Sequence, residues 1–383
     1  MVRAVLVLTI VSFPLAFAHA DTPGDLAANA ALMYWQAFAT MPKLSDAEQN
    51  QLADALNKPL DARVKETVAQ ADYSLQMMHD GAKLPRCEWN MAEEQGVYLR
   101  LPNGAAARVL CNLACLRARM RIEEGKQKEA VDDLVAAVIM GRHASYAGTN
   151  IMLLSGYALE HRVYETLAQQ LPKLDAKTIR YIKERLAALP AGMTPAATMQ
   201  TEEKLFLDWF IRTVKQTKDK DSLVALLAPL FLSEGKPDAK ELEKKAREFL
   251  EASGGTTDGV IKYADETRAS YKLIEDKLQL PLAEFEKVFE QESAKQANNP
   301  VYKVFFPAMA NVRRAIARME VRRALLLAAL DIQIEGQGAL KNHVDPVMGG
   351  QFEYVPFEGG YELRSKLKGR DDKPVSLTVG VRK

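Results

Sequence analysis

The sequence lacks most of what would point to a chemistry. Three cysteines occur in 383 residues, and none forms a Cys-x-x-Cys pair. No two histidines lie three or four apart, and no His-Glu-x-x-His is present, so the spacing of a zinc site is missing. There is no Gly-x-Ser-x-Gly elbow and no phosphate loop. Gly254-Gly255 has neither the preceding strand nor the lysine that a nucleotide site needs. No charge surplus exists either: 51 Lys+Arg face 50 Asp+Glu. Nucleic acid is therefore not expected as a partner, because phosphate binding draws on a basic excess. Beyond the first twenty residues no run approaches the length of a membrane span. The longest candidate, Leu223–Leu232, is too short and is interrupted by Pro229.

What is present is ordinary globular composition, 48% apolar, preceded by an export signal. Arg3 supplies the basic start, Ala4–Phe17 is mostly apolar, and Ala18-His19-Ala20 offers small residues at positions −3 and −1. This reads as a signal peptide over 1–20, cleaved before Asp21. Removing Arg3 with it leaves equal numbers of acidic and basic side chains. A cleaved leader with no following cysteine anchor implies a periplasmic or extracellular protein, with no transmembrane segment in the mature chain.

The expected fold class is mainly α, as antiparallel helical hairpins in a bundle or short α-solenoid, with a small C-terminal antiparallel β element. Leu26, Ala30, Met33, Tyr34, Ala37 and Phe38 recur at helical spacing, and Leu32, Trp35 and Ala39 add a second stripe. Ser45-Asp46-Ala47-Glu48 is a capping box. A third helix is expected from about Pro59 to His79, and another over 103–124. Further helices are expected over 150–170, 176–188, 195–217, 220–232, 238–252, 258–278, 281–297 and 300–336. Prolines and caps such as Asp175 mark their ends. Residues 21–232 read as one helical domain and 260–340 as a second lobe ending in a long helix. Between them, 233–259 read as a flexible linker or an exposed excursion, because Gly and Ser gather at both ends. Over 341–383, alternating segments around Phe352-Glu353-Tyr354, Tyr361-Glu362-Leu363 and Val375–Val379 read as a small sheet. Such a sheet should pack on the last helix, against some of Leu326, Leu327, Leu330 and Ile334.

Three resemblances follow from particular residues. Ala118, Gly125, Ala130, Leu134 and Ala137 have the spacing of one tetratricopeptide-like hairpin, although the period does not continue. Asp345-Pro346, Gly349-Gly350, Tyr354, Gly360-Tyr361-Glu362-Leu363 and Ser365 resemble the C-terminal element of type II secretion pseudopilins. Val347 stands where that element has an aromatic, and the pseudopilin N-terminal helix is missing. Cys87-Glu88-Trp89, the hairpin at 116–137, Gly141-Arg142-His143 and the tail resemble a family of uncharacterised secreted bacterial α-helical proteins. That resemblance implies a fold and no activity.

Four candidate features remain. Export permits a disulfide from Cys87 to Cys111 or Cys115, which themselves lie four apart on one helix. His143 and Glu160 flank a helix turn and would form an acid–base pair if brought together. Glu202-Glu203 are adjacent acids that a helix points about 100° apart. Arg314, Arg318 and Arg322 form a basic stripe, open either to an anionic partner or to the acidic helix carrying Glu284, Glu286, Glu290 and Glu292. No cofactor or metal is expected. Two functions remain open: a non-catalytic exported scaffold that binds an envelope protein or peptide, and a hydrolase-like enzyme using His143 and Glu160.

Overall fold

A computed structural model describes residues 28–99, 101, 103–231, 238–306 and 308–382. The expected signal peptide and its cleavage site lie outside these residues. The chain is mainly helical, with one three-stranded antiparallel sheet at its C-terminal end. Among the described residues no helix is long and apolar enough to cross a membrane.

Helices α1 (Ala30–Thr40), α2 (Asp46–Ala55), α3 (Ala62–Gln70) and α4 (Asp72–Ala82) open the fold. The capping box at Ser45 and Glu48 forms as expected, satisfying two N-terminal donors of α2. The expected third helix is two helices, broken at Ala71. Then α5 (Asn103–Glu123) and α6 (Gln127–Ser145) make a tight hairpin. Gly125 turns it at φ +77°, a conformation that glycine adopts without steric cost. Ala118, Ala130 and Ala137 are fully buried along the crossing. Helix α7 (Asn150–Gln170) returns against α6. The two backbones nearly touch there, since a Cβ built on Gly156 would lie 2.4 Å from the Gly141 carbonyl oxygen.

Helices α8 (Ala176–Ala187), α9 (Pro195–Glu202), α10 (Trp209–Gln216) and α11 (Lys220–Leu227) follow. The expected continuous helix over 195–217 is interrupted by a π-helical turn at Glu203–Asp208. Helices α12 (Ala239–Ala252), α13 (Thr257–Lys277), α14 (Leu282–Lys295), α15 (Pro300–Phe305) and α16 (Met309–Glu335) complete the helical part. The expected 300–336 helix is thus divided into Pro300–Phe305 and Met309–Glu335.

Two apolar cores divide the chain differently from the sequence boundaries. The first takes α1–α8, the later part of α16 from Ala317, and the sheet. The second runs from Met199 to Ile316. The division between them therefore falls before α9, not at 232. Nor is 238–252 an excursion: α12 buries Ala246, Phe249 and Leu250 in the second core. Its charged residues face water, so the segment looked detached while its apolar stripe was packed.

The sheet comprises β1 (Glu353–Phe357), β2 (Gly360–Lys368) and β3 (Pro374–Val379) in that order. Tyr361, Leu363, Ser365 and Leu367 of β2 alternate inward with Val375, Leu377 and Val379 of β3. This face packs on α16 and α7, sharing a core with Leu326 and Leu330. Tyr361 donates its hydroxyl to the Ala329 carbonyl at 3.2 Å, and Tyr354 stacks on its ring. Leu327 instead points outward, 42% exposed. Asp345 is buried, accepting hydrogen bonds from the Ser365 hydroxyl and the Val347 and Met348 amides, which ties the loop before β1 to β2.

Candidate functional site

The exposed ridge of α7 organises the surface. Ile151, Leu154, Ser155, Ala158, His161, Arg162 and Glu165 lie along it at helical spacing, while Met152, Leu159, Val163 and Leu167 enter the core. Three openings border this ridge. The first, of about 360 Å³, lies between α5 and α7 and carries Arg108, Asn112, Ser155 and Arg162. Asn112 is 4% exposed and its side-chain oxygen has no hydrogen-bond partner. The second, of about 410 Å³, is an open apolar groove. Val97, Tyr98, Ile151, Leu154, Phe206, Leu230, Val304, Phe305 and Val312 line it, with Asn150 and Glu202 as its polar groups. The third, of about 520 Å³, lies between α7, α16 and the β2–β3 turn. His161, Glu165, Arg318, Arg322, Arg370 and Asp371 line that cleft. Ile151 borders the first two openings, Leu154 the last two, and Ala158 the first and third.

The Arg stripe divides. Arg314 donates to Glu286 at 2.6 Å, as pairing with the preceding acidic helix requires. Arg318 and Arg322 do not reach that helix, and Glu292, buried on it, accepts instead from Ser270. Four residues advance a helix by more than a full turn, so successive stripe members rotate away from α14 and onto the cleft. Burial, then Arg370 and Arg314, lower the Arg318 proton affinity. Arg322 is lowered mainly by burial, with Arg318 and Arg370 adding to the effect and Glu165 opposing it. Burial, reinforced by Arg322 and Arg162, holds the His161 imidazole neutral, down to about 3. The Glu165 carboxyl is raised by burial against the pull of Arg162 and Arg322.

His143 and Glu160 are not brought together. His143 Nδ1 lies 2.8 Å from the Tyr34 hydroxyl, and its carbonyl accepts the Trp89 indole N–H at 2.7 Å. Burial pushes this imidazole down to about 4. Glu160 faces elsewhere: Arg323 donates to it at 2.9 Å, Tyr164 at 2.9 Å, and Arg142 stands 3.5 Å away. Arg142 rather than His143 faces Glu160, because adjacent helix residues diverge by about 100°. Each group is satisfied by its own partners, so the expected acid–base pair is absent.

The cysteine staple is also not formed; all three cysteines are buried free thiols. Cys87 lies near Tyr34 of α1. Cys111 and Cys115 face α7, toward the Leu159 carbonyl and Thr166. The thiols that were expected to join thus have different neighbours.

Glu202 and Glu203 separate as their helix geometry implies. Glu203 pairs with Arg268, whereas Glu202 accepts the Asn150 amide at 2.8 Å, at the start of α7. Burial in the apolar groove pushes the Glu202 carboxyl up to about 7. Among the described residues no group of three or more His, Cys, Asp or Glu is placed to hold a metal ion. Sequence reading missed Arg370 and the α7 ridge with Arg162, two distant segments that only the fold brings to one surface. Comparison with family models, curated proteins and solved structures returns no match.

Proposed function

We propose that this protein is an exported, non-catalytic helical scaffold that docks a segment of another protein in the groove between α7, α9 and α15–α16. The open apolar groove carries this reading. Its floor is aromatic and aliphatic, and Ile151 at its mouth is 61% exposed and Tyr98 49% exposed. Contiguous apolar surface of this kind marks interaction sites, because water contact is unfavourable until a partner covers it. The occupant is a peptide or protein segment of the cell envelope with apolar side chains followed by acidic ones. The groove passes over Ile151 directly into the opening that holds Arg108 and Arg162, which supplies charge of the matching sign. The periplasmic or extracellular location rests on the leader at 1–20. The hydrolase-like alternative lacks support, because its two residues occupy separate networks.

A photo-crosslinking side chain at Tyr98 tests the proposal in envelope extract. One discrete protein adduct is expected, and it should disappear when Ile151→Asp is added, with helix content unchanged. An adduct indifferent to Ile151→Asp, or none at all, would count against docking in this groove.

A further inference from the structure

Arg318, Arg322 and Arg370 converge on the cleft between α16, α7 and the β2–β3 turn. Arg318 is only 9% exposed, yet among the described residues its side chain forms no hydrogen bond or ion pair. Arg318 lines the cleft. The Nε of Arg322 is buried without a partner. Arg314, one turn earlier on the same helix, is paired with Glu286 at 2.6 Å, so bare guanidinium groups are not the rule along α16.

Two acids, Glu165 and Asp371, also line the cleft, and the charge of Glu165 acts on Arg322. Glu165 stands 3.4 Å from His161, and Asp371 stands 3.7 Å from Lys373 and accepts that residue's backbone amide. Glu165 offsets part of the Arg322 charge, but among the described residues Arg318 feels only Arg370 and Arg314. Three guanidinium groups against two acids thus leave the partly desolvated cleft with a net positive charge that an entering anion would offset. Guanidinium forks match the tetrahedral oxygens of a phosphate, and a dianion offsets such a cluster better than a single carboxylate would. The cleft, about 520 Å³, is within the range of small-ligand sites, and Leu154 and Tyr157 give one wall an apolar surface for the organic part of an ester.

We propose that this cleft binds a phosphate-class dianion, either free phosphate or a phosphomonoester, held by Arg318 and Arg322 from α16 and by Arg370 from the β2–β3 turn. The site shares Leu154 with the protein-docking groove, but its three arginines do not line the groove, and the groove's Tyr98 and Ile151 do not line the cleft.

Calorimetric titration of the full chain with inorganic phosphate, at constant ionic strength in chloride, tests it. Saturable binding is expected, with Arg318→Gln and Arg370→Gln each weakening it at least tenfold. Arg314→Gln should leave it unchanged, and so should Ile151→Asp, which separates this site from the docking groove. Arg370 is exposed, so Arg370→Gln keeps the test valid if Arg318→Gln fails to fold. Phosphatidylcholine vesicles with and without phosphatidic acid distinguish the source. Phosphate-competed retention on phosphatidic acid assigns a lipid phosphomonoester, and binding of free phosphate alone assigns a soluble one. Absence of binding to both probes, or binding that Arg318→Gln and Arg370→Gln leave intact, would overturn the proposal.

Discussion

Single residues here show how burial and partners, rather than residue type, set chemical character. Asp133 is fully buried and accepts from Arg117, Arg121 and His79, so a charge deep in the α5–α6 hairpin is matched from three sides. Glu202 is the contrasting case, with the Asn150 amide and, among the described residues, no cation against it. Its folded pKa of about 7 lies above the ordinary 4.5. The unfolded chain therefore releases this proton earlier, and folding loses stability as pH rises from about 4.5 through about 7. Glu202→Gln should accordingly stabilise the protein at pH 7.5 by about 1–3 kcal/mol, an advantage that vanishes below pH about 4.5. Urea unfolding at both pH values measures it, and an equal effect at each would contradict the assignment. His143 acts in the opposite pH direction. Its pKa near 4 lies below the ordinary 6.5, so its contribution is complete above about 6.5 and is lost as pH falls toward 4.

At the scale of elements, the C-terminal sheet shows why a short β element needs a helical floor. Only alternate residues of β2 and β3 are buried, and their partners on α16 and α7 belong to the first core. Burial of one aromatic contributes about 1.5–3 kcal/mol, enough to dock a sheet that would be marginal alone. Tyr361→Ala removes a buried ring and its hydrogen bond to Ala329. A loss of about 3–5 kcal/mol is expected, with faster proteolysis beyond residue 340 and nearly unchanged far-ultraviolet helix signal. Tyr354→Ala, which removes a half-buried ring from the edge strand, should loosen the tail less. If neither substitution sped cleavage, the sheet would not depend on this contact.

Over the whole molecule, the two cores share one helix. The first turns of α16 belong to the second core through Met309, Val312 and Ile316, and the rest belongs to the first. Each core still has its own buried large side chains, so local opening should respect the division. Phe285→Ala leaves a cavity in the second core, where Phe285 is fully buried. Amide exchange should quicken in α13 and α14 while α5–α7 keep their protection. Equal acceleration in α5–α7 would mean that α16 couples the cores into one unit.

Periodicity and punctuation were enough for the helical class, the capping box at Ser45, the hairpin turn at Gly125 and the inward face of the tail. Those features depend on neighbours within a few residues, and local backbone geometry is shared by every fold that contains them. The same local signals failed where a break needed distant packing, as at Ala71 and the π-turn after Glu202. Partner choice was decided only in three dimensions. Arg314 and Arg318 are alike in sequence, yet one meets Glu286 and the other an open cleft, because helix rotation carries them to different neighbours. Cys87 was legible as a partner for Cys111 or Cys115 by residue type, but all three are free thiols with different neighbours. Arg370 joins Arg318 across more than fifty residues through the β2–β3 turn, and no spacing rule announces that approach. A sequence specifies which faces are apolar and where elements end; which charged groups meet, and which are left without a partner, depends on how those faces close on one another.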